Sequence, residues 1–193
     1  MKFKKPKFWD HKKNNLISLL LLPLTLPIIF NNFLLNKKNK KKNEKIKTIC
    51  VGNIYVGGTG KTPSSIKISQ ILNNLKFNVA IGKKFYSSQS DEKILIEKKT
   101  RLISAKNRMK IVEIAIQNKH DCLVFDDGLQ DKNIVYDLEI VCFDIVSWIG
   151  NGNLIPSGPL RERISSLKKY DAVFLKHQGQ STVDISNEIK RIN

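Results

Sequence analysis

The residues with the clearest chemistry lie between an apolar run ending at Val51 and a helix-periodic run after Pro63: Gly52-Asn53-Ile54-Tyr55-Val56-Gly57-Gly58-Thr59-Gly60-Lys61-Thr62. A Gly-Lys-Thr ending placed between a strand and a helix is the spacing of a phosphate-binding loop. Glycines let the backbone curl until successive N–H groups point inward at a polyphosphate, and the positive end of the following helix adds to the attraction. Lys61 is then placed to bridge the β- and γ-phosphates, and the Thr62 hydroxyl to hold Mg²⁺. Tyr55, Val56, Gly57, Gly58, Thr59, Gly60, Lys61 and Thr62 form the expected nucleotide-contacting stretch. One position departs: the strict pattern asks for Gly at 55, where this chain has Tyr55.

A second acidic element is Leu123-Val124-Phe125-Asp126-Asp127-Gly128. An apolar strand ending in Asp can bring a carboxylate to a nucleotide-bound metal. Strands also end in Asp simply to make a turn. Beside a phosphate loop the metal-side reading is favoured, with Thr62, Asp126 and Asp127 as the candidate metal set. Cys50, Cys122 and Cys142 each sit in an apolar run and fit no zinc spacing, so buried free thiols in a reducing compartment are expected.

These groups need a scaffold. Strands are expected at Thr48–Ile54, Phe77–Ile81, Cys122–Phe125, Leu138–Phe143 and Ala172–Leu175. Helices are expected over Pro63–Leu75 and over 108–118, the latter with Met109, Val112 and Ile116 on its buried face. Strands alternating with helices imply an α/β fold, P-loop NTPase-like, with a mostly parallel sheet flanked by helices. In such sheets ligands collect at the carboxyl ends of strands, where the glycine loop, Asp126-Asp127 and Asp144 all fall.

The charge of +17 is unevenly placed. Residues 1–47 hold thirteen lysines against Asp10 and Glu44, a balance of +11, which leaves +6 for the rest. The apolar stretch 16–35 sits between Lys12-Lys13 and the run Lys37–Lys42, and contains Pro23 and Pro27, which kink or break a helix. The preferred reading is a bent helical membrane-associated arm whose lysines meet an anionic membrane surface. A transmembrane span is the competing reading. No nucleic acid partner is expected, because aromatic interleaving is absent. Two domains follow: residues 1–46, the arm, and residues 47–193, the P-loop domain.

The loop VGNIYVGGTGKTP (51–63), the segment VFDDGLQD (124–131) and above all FDIVSWIGNGNLIPSGPLRERISSLKKYDAVFLK (143–176) resemble the tetraacyldisaccharide 4′-kinases of Gram-negative bacteria. The last stretch has no generic phosphate-loop reason to exist. The resemblance, from about Trp9 to Lys176, implies ATP and Mg²⁺ as cofactors. It implies transfer of the γ-phosphate to the 4′-hydroxyl of a lipid A disaccharide 1-phosphate precursor, at the cytoplasmic face of the bacterial inner membrane. It also implies Asp91 as catalytic base, Asp126 and Asp127 on the metal side, and Arg161 at a phosphate. With Lys61, the catalytic candidates are thus Asp91, Lys61, Asp127 and Arg161.

The chain departs from the family pattern in places. Gly82-Lys83-Lys84-Phe85-Tyr86 stands where the family shows Ser-Arg-Gly-Tyr, Lys93 stands for Pro, and Asp131 for His. The family continues into a second α/β half carrying a His that works with the catalytic Asp. The 193 residues are therefore expected to bind ATP with weak or absent kinase activity. The rival readings are a membrane-tethered P-loop ATPase module without acceptor phosphorylation, and a basic membrane-peripheral structural protein.

Overall fold

The structure is a computed structural model that describes residues 5–13, 15–36, 41–85, 90–131 and 133–192. The lysines at 37, 38 and 40 and Tyr86, singled out above, lie outside these. The chain forms two compact units: one of residues 1–38, 53–59 and 141–193, the other of residues 39–52 and 60–140.

In the second unit the strands are β1 (Lys41–Lys42), β2 (Lys47–Gly52), β3 (Val79–Lys84), β4 (Leu102–Ala105), β5 (Cys122–Asp126) and the short β6 (Ile134–Val135). They alternate with helices α3 (Lys61–Asn74), α4 (Ser90–Glu97) and α5 (Arg108–Gln117). With β7 (Leu138–Asp144) and β8 (Ala172–Lys176), the main sheet runs β4-β3-β5-β2-β7-β8. Strands β2, β3, β4 and β5 pair in parallel. All five residues of β5 are buried, because a central parallel strand is covered on both faces and so reads as an unbroken apolar run. Its pairing with β2 sets Asp126 opposite Val51, so the strand that enters the glycine loop lies beside the strand that ends in Asp.

Three expectations shift, the first being that β2 ends at Gly52 rather than Ile54. The second strand begins at Val79 rather than Phe77 and runs on to Lys84, because the chain turns through a left-handed Lys76 (φ 72°) just before Phe77. Helix α5 buries Ile111, Val112 and Ala115, while Met109 and Ile116 flank that face half-exposed. The close approach lies at Ile111, whose side chain fills the space a Cβ on Gly82 would need, which apolar spacing alone does not show. Helix α4 and strand β4 were not anticipated.

Cys50, Cys122 and Cys142 are buried free thiols. Burial pushes the Cys122 thiol up to about 11, leaving it protonated and unreactive.

Asp137 ties the start of β7 to β2, accepting from the Thr48 N–H (2.9 Å) and hydroxyl (3.1 Å), with Lys42 at 3.3 Å. Burial opposes its charge, but these donors outweigh burial and hold the carboxyl below its ordinary value. A carboxylate depressed in the folded state contributes stability that is complete above its unfolded pKa of about 3.9 and is lost as pH falls through the folded value. Urea unfolding at a series of pH values should show a steep acid loss below about pH 4 that shrinks in Asp137→Asn. An unchanged acid profile would count against it.

In the first unit the apolar arm comprises α1 (Leu16–Leu21), a 3₁₀ turn (Leu22–Thr25) and α2 (Leu26–Asn36). The Asn15 side chain caps α1 by accepting from the Ser18 N–H at 2.8 Å. Pro23 falls at the start of the 3₁₀ turn and Pro27 in the first turn of α2, where a missing N–H costs little, so the α-helical pattern gives way to 3₁₀ where the prolines sit. Leu16–Leu34 is long and apolar enough to cross a membrane by length and composition, and little of it is buried.

Polar residues of the arm bind the segment 151–161. Ser18, fully buried, donates to the Ser157 carbonyl (3.0 Å), and the Ser157 hydroxyl donates to the Ser18 carbonyl (2.7 Å). Asn151 and Asn153 donate to the Ser18 hydroxyl, Trp9 Nε1 to the Pro156 carbonyl, and Asn32 Nδ2 to the Arg161 carbonyl. Gly150 makes the turn at φ 59°, and a Cβ there would collide with the Trp9 carbonyl and Pro159. The first unit also contains α6 (Val183–Ile192).

Candidate active site

In the second unit, Lys61 and Thr62 open α3 directly after Gly60, which adopts φ 83°, a left-handed conformation that suits glycine. Thr62 donates its hydroxyl to Asp126 Oδ2 at 2.9 Å. Lys61 Nζ stands 3.8 Å from Asp127 Oδ2. Asp127 itself sits at φ 68°, a strained position for a side chain bearing Cβ, and its N–H donates to the Val51 carbonyl at 2.9 Å. Its carbonyl accepts from Arg108 Nη2, and Arg108 Nη1 also donates to Asp131 at 2.9 Å. Asp131 therefore anchors an arginine behind the Asp126-Asp127 turn. Gly52 ends β2 against Leu129, so closely that a Cβ would lie 2.6 Å from the Leu129 side chain.

Sequence reasoning passed over Lys83. Its side chain is 8% exposed, and Nζ lies 2.6 Å from both Asp126 Oδ2 and Glu92 Oε2. Burial disfavours its charge, but Asp126 and Glu92 outweigh burial, so the ammonium is held more firmly than in water. Position was the available signal: Lys83 lies at the carboxyl end of a parallel strand, where ligands gather. Asp91, in the first turn of α4, is exposed and immediately precedes Glu92. The chain Asp126–Lys83–Glu92 thus fixes the end of α4 that carries Asp91 relative to Asp126.

Mg²⁺ suits this donor set. Asp126 Oδ1 is buried and has no hydrogen-bond partner among the described residues, while Oδ2 is taken by Thr62 and Lys83. A buried acceptor left open beside a threonine hydroxyl is what a hard cation with oxygen ligands uses, and Mg²⁺ takes few protein ligands beside substrate phosphates.

In the first unit, residues 53–59 carry the earlier part of the loop. Asn53 Nδ2 donates to Thr59 Oγ1 (3.0 Å) and to the Gly57 carbonyl (3.3 Å), fixing the curl from within. Tyr55 is fully buried and its hydroxyl faces the N-terminal segment, accepting from Lys5 (2.7 Å) and donating to Asp10 (3.0 Å). That explains the departure from Gly at this position: the ring anchors the loop to residues 5–10. The backbone of 54–56 meets the stretch 159–161, with Val56 N–H donating to the Pro159 carbonyl and Arg161 N–H to the Ile54 carbonyl (2.7 Å). Arg161, half-buried, is therefore set by its own main chain beside the loop. Spacing in the sequence gave no sign of that pairing.

A parallel sheet whose glycine-loop strand lies beside an Asp-ended strand, with Lys-Thr opening the next helix, defines a P-loop NTPase-like protein. A signal recognition particle 54 kDa protein from Aeropyrum pernix shares this fold at TM-score 0.50 and 11% identity. The family model for tetraacyldisaccharide-1-P 4′-kinase (LpxK) matches residues 17–192. Tetraacyldisaccharide 4′-kinases from Pelagibacter ubique and Rickettsia akari are 51% and 34% identical over 100% and 88% of this chain, covering 61% and 57% of their own lengths. The crystal structure of LpxK from Aquifex aeolicus in complex with ATP superposes at TM-score 0.72 and 25% identity, over 84% of this chain and 60% of that one. This chain belongs to the tetraacyldisaccharide 4′-kinase family. It spans about three fifths of the length of these relatives.

Proposed function

We propose that the chain carries the ATP-binding and phosphoryl-positioning part of a tetraacyldisaccharide 4′-kinase of lipid A biosynthesis. The observation that carries this is the grouping of Lys61, Thr62, Asp126 and Asp127 at the mouth of α3, with an open buried oxygen on Asp126. Lys61 leaves Asp127 for the β- and γ-phosphates, and its charge offsets theirs. Thr62, Asp126 and Asp127 would hold Mg²⁺, which supplies further charge neutralisation on the phosphates when bound. The loop amides of 55–62 wrap the polyphosphate and fix its line of approach.

Asp91 orients the 4′-hydroxyl of the disaccharide 1-phosphate lipid and accepts its proton. The bond from oxygen 4′ to the γ-phosphorus forms as the bond to the ADP oxygen breaks. Arg161 meets phosphate charge beside the loop. The apolar arm places the chain on the cytoplasmic face of the inner membrane, where such an acceptor resides.

The test is labelled ATP with Mg²⁺ and the disaccharide-1-phosphate lipid, comparing these 193 residues with a chain extended to the length of its relatives. Label should enter the lipid in the extended chain. Hydrolysis without lipid labelling in both would favour a tethered ATPase module instead. In the extended chain, Arg161→Ala should lower lipid phosphorylation by about 100-fold, as loss of a charge-stabilising donor does. Unchanged turnover would remove Arg161 from the mechanism.

A further inference from the structure

Lys83 differs from the loop lysine in that it cannot withdraw from its carboxylate. It stands near the end of β3, directly after Gly82, where a Cβ would collide with Ile111, so the strand lies tight against α5. Its Nζ is held from two sides, at 2.6 Å from the fully buried Asp126 and 2.6 Å from Glu92. Lys61, at 3.8 Å from Asp127, can turn away to a ligand.

The charges in contact here are two ammonium groups, Lys61 and Lys83, and three carboxylates, Asp126, Asp127 and Glu92. Behind the turn Arg108 and Asp131 pair with each other at 2.9 Å and cancel. One net negative charge is left for a divalent ion. Such an ion, using the open Oδ1 of Asp126, meets an ammonium already seated on Oδ2 of the same carboxylate. Buried away from water, that repulsion is poorly screened. A triphosphate brings several further negative charges, together with oxygen ligands, to the same metal.

We propose that Lys83 makes divalent-metal binding depend on the nucleotide. Its fixed charge weakens the carboxylates for a bare ion, which then enters with the triphosphate. Lys83 acts through Asp126, so it is a positioning residue. The inference deepens the metal-site reading proposed above and rests on it.

The test is Mn²⁺ binding to the full chain by equilibrium dialysis, with and without a non-hydrolysable ATP analogue, the analogue alone serving as blank. Mn²⁺ suits the same carboxylate and water ligands as Mg²⁺. The native chain should bind Mn²⁺ weakly by itself and tightly with the analogue. Lys83→Met should raise the nucleotide-free affinity at least about tenfold, the smaller end of what one nearby charge does to a carboxylate's affinity for a proton. Lys83→Arg keeps the charge and should keep the native weakness. Adding Asp126→Asn to Lys83→Met should remove the gain, which ties the ion to that carboxylate.

Because Lys83→Met loses stability, Glu92→Gln supplies a second measurement at a half-exposed position. Removing that negative charge should lower the nucleotide-free affinity by about two- to fivefold. Were the ion pair merely holding α4 across the site, releasing it would raise the affinity instead. A rise in Glu92→Gln, or no gain in folded Lys83→Met, overturns the proposal while leaving the metal site standing. If the analogue adds no Mn²⁺ binding to the native chain, the metal site itself fails and the role of Lys83 with it.

Discussion

Lys83→Met is expected to lower the unfolding free energy by about 3–5 kcal/mol, the cost of stranding a buried charge after removing its partner. The carboxylate left behind is Asp126, which is 1% exposed and would keep only the Thr62 hydroxyl on Oδ2. Denaturant titration of the two chains measures this directly. The double variant Lys83→Met/Asp126→Asn should be less destabilised than Lys83→Met alone, because removing both charges removes the uncompensated one. A loss below about 1 kcal/mol for Lys83→Met would show that water reaches Asp126 and that the ion pair is worth no more than a surface one. In a lipid-phosphorylation assay of the extended chain the same substitution should reduce turnover more than its stability loss explains, since Glu92 is released and Asp91 with it.

Lys61→Ala should weaken binding of magnesium-ATP by roughly 10- to 150-fold, corresponding to about 1.5–3 kcal/mol for hydrogen bonds to a charged group. Calorimetry with the purified chain is the measurement. Folding should be nearly unaffected, because Lys61 meets Asp127 at 3.8 Å, a loose contact between partly exposed groups. The contrast with Lys83 is instructive: two lysines face neighbouring carboxylates, and their depth decides which one holds the fold and which is available to a ligand. Equal nucleotide affinity in Lys61→Ala and the native chain would defeat the phosphate-loop reading. Loss of affinity accompanied by unfolding would instead place Lys61 with Lys83.

Several elements were legible because their signals are local. The path from β2 through the glycine loop into α3 combines a buried apolar strand, glycines where the backbone must curl, and a helix start, all within consecutive residues. Central strand β5 was equally plain, since burial on both faces demands an unbroken apolar run. The 3₁₀ interruption of the arm fell where the prolines lie. Strand β4 was not legible: four residues, of which one is buried, carry no periodicity to detect. Helix α4 was missed for a related reason. Its apolar residues Ile94-Leu95-Ile96 are contiguous, and only Ile96 is fully buried, so no helical stripe marks it.

The sequence by itself determined the fold class, the phosphate-loop spacing, the acidic end of β5 and the apolar arm, because each depends on neighbours along the chain. Tertiary structure alone decided that Tyr55 turns to Lys5 and Asp10, and that Arg161 is seated by the Ile54 carbonyl. It also decided that Lys83 joins Asp126 to Glu92, and that Ser18 and Asn32 of the arm bind the segment 151–161. Most of these contacts join residues tens to more than a hundred positions apart. Which polar group meets which across such a distance is set by strand order and packing, and neither leaves a periodic mark on the residues it brings together.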